Sequence, residues 1–166
     1  TPSLFAKITK KYPPSPTSYH PPMNDPTTGL VDGGSHSTMH HANLLAPSGQ
    51  GSHKAISSGD WTDPTIWENN QVPTAGATVY IKPGVTVQFN AEMSFAIKTL
   101  RIDGSLIFAT DMNTTLRVDT IVVDTYGRLH IGTESAPIAD NVVAKVIIPD
   151  GGPIDTIWDP NVISRG

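Results

Sequence analysis

Three stretches decide the fold: VYIKPGVTV (residues 79–87), LRIDGSLIF (100–108) and IVVDTYGRLHI (121–131). Apolar side chains recur at every second position: Val79 and Ile81, Val85 and Val87, Leu100 and Ile102, Leu106 and Phe108, Ile121 and Val123, Leu129 and Ile131. Alternate side chains of an extended chain point to opposite faces, so each pair marks a strand with one buried face. Leu116 with Val118, and Val146 with Ile148, continue the pattern. Each of the three stretches holds one glycine between its two strands. Gly84, Gly104 and Gly127 stand 20 and 23 positions apart. A repeat near twenty residues, with short strands and a turn glycine per copy, is the pattern of a solenoid that stacks aliphatic side chains coil upon coil. The turn glycines are expected at positive φ, where a Cβ would clash. Plain hairpins in a sandwich would alternate in the same way without the regular spacing. The expected fold is all-β: a short right-handed β-solenoid, a β-helix-like stack of strand pairs, over residues 57–150.

The flanks read differently. Seven of the fifteen prolines fall within the first 26 residues, and no Lys or Arg occurs from Tyr12 to His53. Such a stretch buries too little apolar surface to offset its ordering entropy alone. Residues 1–56 are therefore expected to form an extended Pro/Gly/His-rich arm. Met39, Ala42 and Leu45, followed by Pro47, predict a short helix near 37–45. Residues 151–166 form a C-terminal tail, in which Ile154, Ile157 and Trp158 could fold over the last coil. Trp61 and Trp67 are placed to cover the other end.

Composition excludes several classes. Charged residues make up 16% of the chain, against an average of about 25%, which disfavours coiled coils. There is no Cys, hence no disulfide scaffold. The net charge of −4 argues against nucleic-acid binding. No apolar run is long enough for a membrane span.

Five of the six histidines lie in the arm. His36 and His40 are four apart and would share one helical face, and His41 and His53 could join them. Converging neutral imidazoles bind Cu or Zn, so these four are the expected metal ligands, with a transition metal as the cofactor. Trp61 and Trp67 could stack on sugar rings, with Asp60 accepting from hydroxyls. The other reading makes both indoles a packed seal on the end of the stack. Asp103 and Asp124 each follow a strand and could approach each other across coils. No Gly-x-Ser-x-Gly elbow, phosphate loop or His-Glu-x-x-His motif is present.

The order Ser58-Gly59-Asp60-Trp61, Asp63-Pro64, Trp67, Val72-Pro73, Gly76, followed by the three strand pairs and Ile131-Gly132-Thr133, resembles the G-eight domain. That family occurs in fibrocystin-like receptors, in hyaluronan-binding and hyaluronan-degrading surface proteins and in bacterial secreted proteins; the tail from Gly152 is similar to the bacterial type. The resemblance implies an extracellular module, secreted or at the cell surface, and brings no catalytic motif with it. The expected function is a non-catalytic β module, the N-terminal part of a larger protein, with a glycan or cell-surface partner. One alternative is a subunit of an extracellular filament or surface layer, a homo-oligomer built through strand addition by the arm. Another is a fragment of a polysaccharide-degrading enzyme.

Overall fold

A computed structural model of the protein describes residues 46–149. The helix expected near 37–45, most of the arm and the tail from 151 lie outside the described residues. The described part is all-β apart from one 3-10 turn, Pro64–Ile66. Asp63 caps that turn by accepting from the Thr65 amide, and Pro64 occupies its first position, where a missing N–H costs nothing.

The strands are β1 (His53–Ala55), β2 (Gly59–Asp60), β3 (Thr78–Ile81), β4 (Thr86–Phe89), β5 (Ile97–Ile102), β6 (Ser105–Phe108), β7 (Thr114–Val123), β8 (Arg128–His130) and β9 (Ala144–Ile147). They form two sheets, in the orders β1-β3-β5-β7-β9 and β2-β4-β6-β8. All pairings between these strands are parallel. Strands consecutive in the chain therefore pair with strands two steps away and not with each other, which rules out the hairpin alternative. Val79 stands beside Leu100, and Leu100 beside Ile121. In the other sheet, Val87 stands beside Leu106, and Leu106 beside Leu129. The aliphatic positions of the alternation thus become rows of like side chains. Val79, Ile81, Val87, Leu100, Ile102, Leu106 and Phe108 fill the space between the sheets.

Leu116 with Val118 and Ile121 with Val123, which read as two strands, belong to one strand, β7, with two sets of partners. Its second half pairs with β5, while Thr114–Arg117 pairs with β9. Thr115 also bridges to Glu92 on its other side.

The turn glycines need a correction. Gly84 has φ 77° as expected. Gly104 and Gly127 do not lie at positive φ. They are glycines because turn stacks on turn: a Cβ on Gly104 would strike the Lys82 and Val85 carbonyls, and one on Gly127 the Ile102 carbonyl. Carbonyls tied into coil-to-coil hydrogen bonds, such as Val85 O with the Ser105 amide, cannot move aside like a side chain. Gly104→Ala is expected to destabilise by roughly 2–3 kcal/mol through overpacking. Urea unfolding checks this, and a midpoint equal to that of the parent would refute it.

Candidate functional site

Each sheet has an outer face, and the two differ. On the first sheet the outward positions are Lys54, Tyr80, Arg101 and Val122 in one row, and Thr78, Thr99 and Thr120 in another. The segment from Ala46 to Ser52 lies on this face as a strap. Arg101, 3% exposed, is the centre of its attachment. Its Nε donates to Asp103 Oδ1 at 2.6 Å, its Nη2 to Asp124 Oδ1 at 3.0 Å and its Nη1 to the Ala46 carbonyl at 2.9 Å. Asp103 Oδ2 accepts from Ser48 Oγ at 2.6 Å and from the Tyr80 hydroxyl at 3.1 Å. Asp103 and Asp124 do meet across coils, as their positions predicted, but on one guanidinium that occupies both. Charge-assisted bonds of this kind fix geometry. A cavity of about 130 Å³ remains under the strap, between Gln50, Gly51, Thr78, Thr99 and Arg101.

The outer face of the second sheet carries no such cover among the described residues. Asp60, Gln88, Ile107 and His130 stand in register across four strands. Thr86, Ser105 and Arg128 form a second row. Asp60, Thr86, Gln88 and Arg128 are exposed, and Ser105, Ile107 and His130 are half-buried. Parallel sheets are usually covered on both faces, so an open polar face is unusual. Neighbouring rungs lie about 4.8 Å apart, which makes the face a regular array of hydrogen-bonding groups.

The sequence-predicted site residues separate on this framework. Trp61 and Trp67 come together, edge to face at 5.1 Å, but each is only 1% exposed. Trp61 also packs on Phe89 at 5.2 Å, and Phe89 on Phe108 at 4.9 Å. Trp67 Nε1 donates to the Trp61 carbonyl at 3.0 Å. Their rings belong to the core, and neither presents an open face on which a sugar could stack. Asp60, their neighbour, points outward onto the open face. His36, His40 and His41 lie outside the described residues. His53 opens β1, and burial pushes its imidazole below the ordinary value. Its Nδ1 is 2.9 Å from Ser52 Oγ. Among the described residues no three His, Asp or Glu side chains converge as metal ligands would. The Thr65 hydroxyl and amide hold the Asp63 carboxyl below its usual range. Gln88, Arg128 and His130 were not singled out by sequence reasoning. They occupy the polar positions of the alternation, which mark an outward face without saying what it does.

The family model for the G8 domain matches residues 66–165. The chain belongs to the G8 domain family. Fibrocystin of Mus musculus is similar to this G8 chain, with 32% identity over 87 residues. The match covers 52% of the chain and 2% of that much longer protein. No solved structure matches. The G8 match begins after β1, β2 and Trp61, yet β1 and β2 pair directly with β3 and β4 inside it. Among the described residues no helix is long and apolar enough to cross a membrane.

Proposed function

We propose that this G8 domain is an extracellular module, secreted or at the cell surface, that binds a glycan along the outer face of its second sheet without acting on it chemically. In this reading the coils wind as a right-handed β-solenoid. The alternation of consecutive strands between two parallel sheets supports that winding, because a parallel crossover is almost always right-handed. The cell-surface setting is supported by family membership and by the similarity to fibrocystin.

The observation that carries the binding role is the open face itself. Sugar hydroxyls both donate and accept, and recognition requires groups of both kinds in a fixed array. Asp60 accepts, Arg128 donates, and Gln88, Thr86, Ser105 and His130 do both. Ile107, in the middle of one row, offers apolar contact for a ring face. Engagement of Asp103 and Asp124 by one arginine supports binding over catalysis, since that carboxylate pair is committed to holding the strap.

A glycan array with the full chain tests the proposal. At least one glycan is expected to bind. The double variant Asp60→Ala with Gln88→Ala removes two hydrogen-bonding groups, each contributing about 0.5–1.5 kcal/mol. Binding is expected to weaken about tenfold. Lys98→Ala, on the other sheet, is expected to leave it unchanged. An array without a hit, or a hit indifferent to the double variant, would contradict the proposal.

A further inference from the structure

The open face of the second sheet has a direction and a repeat. Asp60, Gln88, Ile107 and His130 follow one another in register from β2 to β8, so their row runs across the strands and not along them. Successive positions are about 4.8 Å apart, and the row spans roughly 14 Å. Thr86, Ser105 and Arg128 run beside it, two residues earlier on β4, β6 and β8. Positions two apart on one strand are separated by about 6.7 Å. The face is therefore a narrow strip, at most two side chains wide and four rungs long. Its chemistry changes from rung to rung. The first offers the Asp60 carboxylate, and the second offers Thr86 and Gln88, which both donate and accept. The third sets half-buried Ile107 beside the Ser105 hydroxyl. The fourth sets a guanidinium beside an imidazole. Arg128 Nη1 donates to the Tyr126 carbonyl at 3.2 Å and to the Gly127 carbonyl at 3.0 Å, which fixes the guanidinium at that end.

We propose that the occupant of this strip is a linear, unbranched glycan joined through equatorial oxygens, lying across the strands with one sugar unit on each of the four rungs. The inference rests on the reading of this face as a glycan site and adds the shape, direction and length of the ligand. Repeat distance carries the argument. A pyranose joined through equatorial oxygens at opposite ends of its ring advances by about one rung per unit, so every unit meets the sheet at the same spacing. An extended peptide presents like-facing side chains only every 6.7 Å or so, and falls out of step after the first rung. The width agrees as well. A flat sugar ribbon carries its hydroxyls along two edges, and the strip carries hydrogen-bonding groups along two rows. The third unit lies over Ile107, where its ring face finds the apolar contact and an edge hydroxyl reaches Ser105.

Calorimetric titration of the full chain with cello- and chito-oligosaccharides of one to six units tests this. Malto-oligosaccharides, whose axial linkages curl the chain, are the control. Affinity for the cello or the chito series is expected to rise about fivefold with each unit up to four, as one further rung engages, and to level off at five and six. The malto series is expected to bind weakly at every length. Asp60→Ala empties the first rung, so its plateau is expected at three units, with circular dichroism confirming the fold. Affinity set by a terminal sugar alone, a rise that continues to six units, or a plateau unchanged in Asp60→Ala would overturn the placement. Failure of both series beside an array hit of another shape would overturn it too and leave the glycan reading standing. An array without a hit would remove that reading, and this inference with it.

Discussion

Arg101→Ala is expected to lower the free energy of unfolding by about 3–5 kcal/mol, the usual cost of breaking a buried ion pair from one side. Asp103, 8% exposed, would be left with hydroxyl partners and no cation, and Asp124 and the Ala46 carbonyl would each lose a bond. Domain stabilities are typically about 5–15 kcal/mol, so the loss is a large fraction of the whole. Thermal unfolding should show a midpoint lower by roughly 10 °C. Much of the penalty comes from the stranded carboxylate, so Arg101→Leu combined with Asp103→Leu should recover a good part of it. The strap should loosen in both variants, seen as faster amide exchange at Ser48 and Gln50. A midpoint for Arg101→Ala within 2 °C of the parent would mean that the network contributes nothing.

Trp61→Ala should be comparably damaging, at about 3–5 kcal/mol. The indole is 1% exposed and sits between Trp67 and Phe89 at the head of an aromatic row. Its removal leaves a cavity bounded by rings that cannot collapse into it. The outcome separates two roles for this residue. A sugar-stacking tryptophan would leave stability unchanged and abolish binding. A core tryptophan gives a lower urea midpoint, and any loss of binding follows from unfolding. The second result is expected.

The strands between 79 and 131 were legible because one face of each is buried, and burial forces alternation. The alternation also breaks informatively. Val118 and Ile121 are three apart, as are Ile97 and Leu100, and the structure places Ile97 beside Val118 and Leu100 beside Ile121. The irregularity is repeated from coil to coil. Arg101 shows where the pattern falls short. Its place between Leu100 and Ile102 assigns it outward, and outward it points. What covers it there is a strap 55 residues earlier in the chain, within the stretch read as an arm, and no local periodicity encodes that contact. Trp61 shows the opposite limit: its residue type fits a sugar platform and a core equally well, and only packing distinguishes them. The glycines at 104 and 127 were read correctly as turn markers but for a different reason, because close approach between coils is a property of stacking and not of the turn alone.

The most direct test of the central claim is a nuclear magnetic resonance titration of the isotope-labelled chain with a glycan that binds on the array. Amide shifts are predicted to concentrate at Asp60, Thr86, Gln88, Ser105, Ile107, Arg128 and His130, across four strands of one sheet. Shifts centred on Arg101, Thr78 and the strap, or shifts absent at saturating glycan, would contradict it.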